Sequence, residues 1–240
     1  HAPWASGLMR FIGGAYLAGL IHRICAAITF AYFGTALGYI VYFLFYKKIP
    51  GNPNPIQRLF GPDSLCPRWK DIQDIIGTIR WFFNKGPRPR YDRWTYWEKF
   101  DFLAVFWGMF AIGLSGLMLW FPEFFAIFLP GWIFNIATIV HSDEALLASG
   151  FIFTVHLFNT HLRPSKFPID TVIFTGKLPK YELIEERPAQ YERMVAQGRL
   201  ETYREKYPSV WIDLFSSIFG FAMLALGLFC IFLIGWEFLG

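Results

Sequence analysis

Four long apolar stretches dominate this sequence, at residues 18–46, 96–121, 133–162 and 210–236. Each is long enough to form a helix that crosses the hydrocarbon core of a bilayer, which takes about 20 apolar residues. With 55% hydrophobic and 20% aromatic residues, the chain is also too apolar for an ordinary soluble domain. The sequence therefore predicts an all-α fold, an integral membrane helical bundle in which residues 1–240 form one domain.

Two polar loops, 47–95 and 163–207, hold most of the positive charge. Ten of the 22 Lys and Arg residues lie in the first loop and nine in the second, whereas the 122–132 connection has none. By the positive-inside rule both loops face the cytoplasm. The amino end, the 122–132 connection and Gly240 are then on the outer side. This pattern predicts a multi-pass protein of the bacterial inner (cytoplasmic) membrane.

Both loops contain signs of further helices. In the first loop five apolar residues recur at helical spacing: Ile72, Ile75, Ile76, Ile79 and Phe83. They predict a short amphipathic helix that lies on the membrane surface. The second loop is interpreted either as containing a short solvent-exposed helix or as a solvated connector.

Three of the five histidines, His141, His156 and His161, lie in the third apolar stretch. Ionisable groups within a bilayer are costly and usually mark a functional site. In a regular helix, His141 and His156 are separated by about 22 Å of rise and a net rotation of about 60°, so they share one stripe near opposite membrane faces. His161, rotated about 200° from His141, points elsewhere. One imidazole near each face suits two stacked b-type haems, whose iron binds axial imidazoles.

His22 is the expected partner of His141. The loop charges make the first and third spans parallel, and each histidine lies near the start of its span. The two imidazoles are therefore expected at similar depth near the outer face, where they can bind one haem iron from both sides. Arg23 beside His22 either contacts a haem propionate or reaches the lipid head groups. Gly34 and Gly38 allow close approach of another helix or of a flat macrocycle.

His156, near the inner face, has no histidine at its depth on the other three spans. In a regular helix His161 is rotated about 140° from it, so the two cannot bind one iron. Either His156 is not a ligand, or a histidine from another helix completes the inner site. We therefore expect one further span, upstream of His1 or from a partner chain.

Four stretches show a family resemblance: AGLIHRICA around His22, KGPRPRYDRWTYWEKFDFLAVFWG, GLSGLMLWFPEFF, and HSDEALLASGFIFTVHLFNTHLRPSKFPID. They resemble the diheme membrane cytochrome b subunits of formate dehydrogenases and nickel–iron hydrogenases. The resemblance is greater to the longer cytochrome b proteins associated with multihaem c-type cytochromes. It covers about residues 3–236, although the shorter formate dehydrogenase subunits have no counterpart of the fourth span.

The resemblance implies the quinone-reactive cytochrome b subunit of a respiratory oxidoreductase complex. It implies two haem b groups, an outer one between His22 and His141 and an inner one between His156 and a histidine outside this chain. The three histidines would be the metal-binding residues. Partners would include the bilayer and other subunits of a membrane complex, among them a c-type cytochrome on the outer face. The choice between His156 and His161 as inner ligand stays open, with the shared stripe favouring His156.

A quinone site is expected at the cytoplasmic end of the third span. Asn159 and His161 lie near His156 along the helix, and Asp92 and Trp94 precede the second span. These polar groups next to apolar surface could bind a quinone ring and exchange protons with the cytoplasm. The resemblance points to the same two stretches, because related subunits bind quinone beside the inner haem. The alternative is that Asp92 and Asn159 cap helices and Trp94 belongs to an interfacial aromatic belt.

Two other classes of function compete with electron transfer. One is a proton- or ion-conducting subunit that uses His141, Asp143, Glu144 and His156 as a relay. The other is a haem-free membrane anchor whose histidines only form hydrogen bonds. No C-x-x-C-H motif is present, so the chain attaches no c-type haem itself. The basic loops follow from topology and do not indicate nucleic-acid binding.

Overall fold

The fold is taken from a computed structural model of the chain, which describes residues 3–49, 51 and 53–239. Within these residues every regular element is a helix, which confirms the predicted all-α class. Gly240, the predicted outer end of the last span, and His1, ahead of which a further helix is expected, lie outside the described residues.

Four helices have the length and apolar composition to cross a membrane, spanning Ala15–Tyr46, Tyr96–Trp120, Trp132–Leu162 and Val210–Trp236. They confirm the predicted spans to within a few residues. The first consists of α2 (Ala15–Val41) and a wider π-helical turn at Tyr42–Tyr46. The second is α5 (Tyr96–Trp120), and the fourth lies within α11 (Val210–Leu239). The third begins as α7 (Trp132–Phe151) and continues through two π-helical turns, Ile152–His156 and Phe158–Leu162.

The remaining helices are short. They are α1 (Pro3–Ile12), α3 (Pro55–Leu59), α4 (Trp69–Phe82), α6 (Pro122–Ala126), α8 (Val172–Thr175), α9 (Lys180–Glu186) and α10 (Pro188–Ala196), with single 3-10 turns at Pro164–Lys166 and Glu201–Tyr203. The second polar loop, interpreted from the sequence as containing one short helix or as a connector, thus contains three helices. The helix predicted in the first loop is α4.

The described chain groups into two compact units. The first comprises residues 3–40, 107–169 and 218–239, and the second comprises 41–106 and 170–217. The first unit therefore contains His22, His141, His156 and His161, and the second unit contains most of the two polar loops. That residues 1–240 form one membrane domain stays a prediction.

In the first unit, glycines set how closely the helices approach. A Cβ at Gly113 of α5 would lie 3.2 Å from the ring of Phe30 in α2. On α11, Gly227 contacts Leu157 of the third span and Gly220 contacts Ile169 in the loop that follows this span, where an added Cβ would meet side-chain atoms at 3.0 and 2.7 Å. The two α11 glycines are seven residues apart and so lie on one face of the helix. Small residues at such contacts let membrane helices pack through their backbones.

In the second unit, α4 buries its polar face and exposes its apolar face, the reverse of a helix in a soluble protein. Asp71 and Asp74 are buried, whereas Ile72, Ile76 and Ile79 are exposed. Asp71 accepts hydrogen bonds from the Lys99 ammonium at 2.7 and 2.9 Å, and Asp74 accepts from Lys70 at 2.6 Å. The apolar face points outward, as expected of a helix that rests on lipid. The helix is confirmed, and its contact with the membrane surface stays a prediction.

Arg58 closes the carboxyl-terminal end of the first span. Its side chain is buried and donates from Nε to the Pro53 carbonyl at 2.8 Å. Its Nη1 donates to the carbonyls of Phe43 at 3.1 Å and Lys47 at 2.7 Å. The last carbonyls of a helix have no partner within the helix and carry the negative end of its dipole. A single guanidinium therefore satisfies these groups and ties α3 to the end of the first span.

Replacing Arg58 with methionine should lower the free energy of unfolding by about 2–4 kcal/mol, because buried carbonyls lose charge-assisted donors. Thermal unfolding of the purified chain in detergent measures this loss. Arg90→Met is the matched control, because Arg90 forms an exposed ion pair with Glu192, and such pairs contribute at most about 1 kcal/mol. Equal losses in the two variants would contradict a capping role for Arg58.

Candidate functional site

The structure places His22 of α2 next to His141 of α7. Their imidazole ring centroids are 6.0 Å apart and the ring planes are inclined by 80°. The two histidines come from different spans and are 119 residues apart in sequence. The structure thus brings together the two histidines that residue order and loop charge pair, and their depth near the outer face stays a prediction. Their role as ligands stays a prediction.

This separation suits one metal ion held between the two rings. A metal–imidazole bond is about 2.0–2.1 Å long, and a ring centroid lies roughly 1 Å behind its nitrogen, so rings on opposite sides of one metal have centroids about 6 Å apart. Edge-to-face ring pairs without a metal occupy a similar range of about 4.5–7 Å. The distance therefore fits both a metal-bound pair and a metal-free ring pair. The hydrogen bonds and packing of the two histidines are needed to distinguish them.

The hydrogen bonds of His141 fix which of its nitrogens is available. Its Nδ1 lies 3.0 Å from the backbone carbonyl oxygen of Ile112 in α5. A carbonyl only accepts, so Nδ1 carries the proton and Nε2 keeps its lone pair. An imidazole bound to a metal typically donates its other N–H to a carbonyl or carboxylate, which fixes the tautomer and the ring orientation. His141 thus has the tautomer that a ligand needs.

The ring of His141 lies directly on Gly116. A Cβ added at Gly116 would lie 2.9 Å from Cε1 and 3.2 Å from Nδ1 of the imidazole, closer than real Cβ contacts. The buried Ser115 hydroxyl is 3.3 Å from the same Nδ1 and donates to the Ala111 carbonyl at 2.6 Å. Ser115 therefore accepts part of the Nδ1–H bond without offering a competing proton. Sequence reasoning missed Ser115 and Gly116, although both lie in the GLSG stretch.

The first span leaves open space around its histidine. None of the residues of α2 is buried, and His22 and Arg23 are both exposed. An added Cβ at Gly34 or Gly38 would meet no heavy atom within 4 Å. These two glycines therefore do not serve helix packing among the described residues. The surface they leave can accept a flat macrocycle or a helix from another chain, so both interpretations made from the sequence stay open.

The third span departs from the regular helix assumed for the sequence. His156 ends the first π-helical turn and His161 lies in the second. A π turn closes its hydrogen bond one residue later than an α turn, so each one removes about 100° of rotation. The rotation between His141 and His156 changes from about +60° to about −40°, and the two keep one side of the helix.

His161 is affected more strongly. Relative to His141 its rotation falls from about 200° to near zero, and relative to His156 from about 140° to about 40°. The π turns bring His161 nearer to the side of His141 than a regular helix would, and the direction in which His161 points stays a prediction. Its Nδ1 is 2.7 Å from the Pro168 carbonyl, which leaves the Nε2 lone pair available as in His141. His156 is exposed, and the choice between the two as inner ligand stays open.

Two of the predicted quinone residues, Asp92 and Trp94, lie in an ion-pair network of the second unit. The buried Asp92 carboxylate accepts from Arg193 at 2.7 Å and from the Arg93 backbone N–H at 2.8 Å. Trp94 Nε1 donates to the Asp63 carbonyl at 3.1 Å. These contacts give both residues a structural role. Asn159 and His161 belong to the first unit, and a quinone role for all four stays a prediction.

The same network holds the second polar loop in place. Arg193 also donates to Asp63 at 3.1 Å, and Arg187 donates to Glu98 at 2.7 Å. Burial alone would lower the pKa of Arg193, but hydrogen bonds to Asp92 and Asp63 outweigh it and raise the pKa. The guanidinium therefore stays charged, and the segment around α10 is clamped onto the first loop instead of being solvated.

Asp143 and Glu144 are the acidic residues of the third span that the sequence suggests for a proton relay. Glu144 accepts a hydrogen bond from Trp107 Nε1 at 3.2 Å. Asp143 is exposed and accepts from Ser142 at 3.3 Å. Glu144 is one turn from His141 on the same helix. Glu144 thus has a hydrogen-bond partner on α5, and proton conduction by these groups stays a prediction.

The donor set fits a haem better than a free metal ion. Among the described residues no group of three or more His, Cys, Asp or Glu side chains could hold a metal ion. A haem iron needs only axial ligands from the protein, because its macrocycle supplies the other four. Two neighbouring imidazoles from different spans, one with a fixed tautomer, are residues of the type that such an iron would need.

No protein family, curated protein or solved structure that was compared with the chain matches it.

Gly116→Ala and Gly108→Ala should change stability in opposite directions. A Gly108 Cβ would meet only Ile112 at 3.9 Å, so Gly108→Ala should stabilise the helix by up to about 1 kcal/mol. Gly116→Ala places its methyl group against His141 and should destabilise by about 1–3 kcal/mol. Thermal unfolding of both variants in detergent measures the difference. A gain in stability for both would show that the ring does not depend on Gly116.

Proposed function

We propose that the chain is a membrane electron-transfer subunit with b-type haems, which passes electrons between the quinone pool and a redox partner on the outer face of a bacterial inner membrane. The observation that supports this best is the His22–His141 pair. The ring centroids of two histidines from different spans are 6.0 Å apart, and a backbone carbonyl holds one of them in the ligand tautomer.

In this proposal His22 and His141 bind the outer haem through Nε2. Haem iron with two imidazole ligands supplies reversible one-electron transfer. The Ile112 carbonyl and the Ser115 hydroxyl orient the His141 ring, and Gly116 leaves room for it. Arg23 is next to His22 and exposed, so its guanidinium is available for a haem propionate or a lipid head group. A c-type cytochrome or another respiratory subunit would exchange electrons at this end.

The inner haem would be bound by His156 with a histidine that this chain does not supply among its four spans. The exposed position of His156 leaves that side of the helix open to a further span. Gly34 and Gly38 offer an unobstructed surface that a macrocycle or that span could cover. With one haem near each face, electrons could cross the membrane in two steps.

At the cytoplasmic end, Asn159 and His161 would bind the quinone. A quinone takes up two electrons and two protons when it is reduced to quinol, and it returns both on oxidation. His161 donates through Nδ1 to Pro168, so its Nε2 can accept a proton or a hydrogen bond from the ring hydroxyl. A quinone role for Asp92 and Trp94, which belong to the second unit, stays a prediction from the sequence.

The haem proposal predicts that His22→Ala and His141→Ala each lose about one haem per chain, because a six-coordinate iron depends on both axial ligands. A reduced-minus-oxidised spectrum with haem quantitation measures the loss. His161→Ala is the control and should keep the outer haem. A purified parental chain, in its membrane complex, that shows no b-type spectrum would overturn the proposal, as would full haem content in both ligand variants.

The quinone proposal predicts that Asn159→Ala and His161→Ala slow electron exchange between a quinol and the haems while the haems stay bound. Stopped-flow absorbance of haem reduction by quinol measures the rate. Asp92→Asn keeps the hydrogen-bonding shape within the ion-pair network and separates a proton-exchange role from a structural one. Parental rates and unchanged inhibitor sensitivity in all three variants would place the quinone elsewhere.

A proton-conducting subunit is the second candidate, favoured by the Trp107–Glu144 hydrogen bond within the spans. A haem-free chain in which Glu144→Gln abolishes proton flux into vesicles would support it. The haem spectrum and the proton-flux measurement together separate the two candidate functions, because electron transfer requires bound haem and proton conduction does not.

A further inference from the structure

A groove of about 730 Å³ lies between α4 and the start of α5 in the second unit. Its walls are mostly apolar, with Phe60, Ile72, Ile75, Phe100 and Leu103 among them. Its volume falls within the range of about 300–1,000 Å³ that is usual for ligand sites. None of the residues proposed for haem or quinone binding lines it, so the groove is separate from those sites.

The groove is built from one stripe of each helix. On the side of α4 the lining residues are Arg68, which caps the helix, and Trp69, Asp71, Ile72 and Ile75; along α5 they are Tyr96, Lys99, Phe100 and Leu103. Residues three or four apart lie on one face of a helix. The stripes meet at the buried ion pair of Lys99 and Asp71, whose ammonium and carboxylate are 2.7 Å apart. This pair fixes the two helices against each other and gives the groove a rigid floor.

Arg68 gives the groove a polar end whose hydrogen bonding is incomplete. Its Nε is buried and has no hydrogen-bond partner among the described residues. In its ion pair with Asp92, the Nη2 and the carboxylate oxygen are 3.9 Å apart, which is beyond hydrogen-bonding distance. A guanidinium carries five N–H donors and suits the geometry of phosphate oxygens. The charged residues of the lining are Arg68, Lys99 and Asp71, so the lining carries one net positive charge.

The setting of the groove matches the boundary between lipid head groups and acyl chains. Trp69 is 70% exposed beside Arg68, and Tyr96 begins a helix that crosses the membrane. Tryptophan and tyrosine at span ends are typical of the membrane–water interface. The outward isoleucines of α4 continue the apolar surface toward the lipid.

We propose that this groove binds a single anionic phospholipid, with its phosphate at Arg68 and an acyl chain along Ile72, Ile75, Phe100 and Leu103. The apolar walls explain the chain, and the unmet donors and net positive charge explain the head group. A quinone has the apolar tail but no charge for Arg68. A soluble phosphate has the charge but nothing that fills the apolar walls. This proposal does not depend on the haem proposal.

Native mass spectrometry of the chain as purified in mild detergent tests the site. We expect one phosphatidylglycerol to bind at least about tenfold more tightly than phosphatidylcholine, the factor expected from charge-assisted hydrogen bonds to the head group. Arg68→Gln should remove this preference. Arg80→Gln is the matched control, because it removes one positive charge from the exposed surface of the same helix and should leave the preference unchanged.

A second pair of variants tests the apolar wall. Ile75→Glu should weaken phosphatidylglycerol binding, whereas Ile79→Glu, one turn further on the exposed face and outside the groove lining, should not. An unchanged lipid preference in Arg68→Gln, or equal weakening by both glutamates, would overturn the proposal. Displacement of the lipid by millimolar inorganic phosphate would also overturn it in favour of a phosphate site. One-to-one displacement by a short-chain quinone would assign the groove to quinone instead.

Discussion

The absence of water in the hydrocarbon core is the constraint on which the rest of this structure depends, because each polar group there must find its partner within the protein. Most hydroxyl groups of the spans meet it locally. Thr29, Thr154 and Ser216 each donate to the carbonyl four residues earlier, at 2.7–2.8 Å. His141 meets it between helices instead, by donating to the Ile112 carbonyl. His141 differs from these hydroxyl groups because its Nδ1–H is hydrogen-bonded to the second span while its Nε2 lone pair stays available.

The same constraint explains how the polar loops are built. A loop at the membrane surface borders lipid on one side and water on the other, so the usual rule of apolar inside and polar outside does not hold. In α4 the carboxylates of Asp71 and Asp74 turn inward to lysines while the isoleucines turn outward. Charge is thereby moved to the interior of the second unit, where Arg193 and Asp92 join its two sequence segments. The network holds the two sequence segments of the unit together.

Much of the fold and part of the candidate site could be predicted from the sequence. Hydropathy gave the four spans because their length is dictated by bilayer thickness, and loop charge paired His22 with His141 because it sets helix direction. Gly116 and Ser115 were missed because their role lies in contact with a ring on another helix, which no local pattern encodes. The winding around His156 and His161 could not be predicted, because a regular helix has 3.6 residues per turn and no pattern in IFTVHLFNTHL indicates a π turn. The clamp formed by Arg193 joins residues 101 and 130 positions apart, beyond the reach of sequence spacing.

The two π turns of the third span also bear on how this helix could change over evolutionary time. Each is equivalent to one residue inserted into a regular helix. Losing one residue from either turn would restore the tighter winding and rotate every later side chain by roughly a quarter of a turn, while the part around His141 stays in place. Leu157, which separates the turns and packs on Gly227, anchors the segment to its neighbour. A single-residue deletion after Leu157 could therefore turn His161 while His156 and the contact of Leu157 with Gly227 stay in place, so the two histidines could change direction separately during evolution.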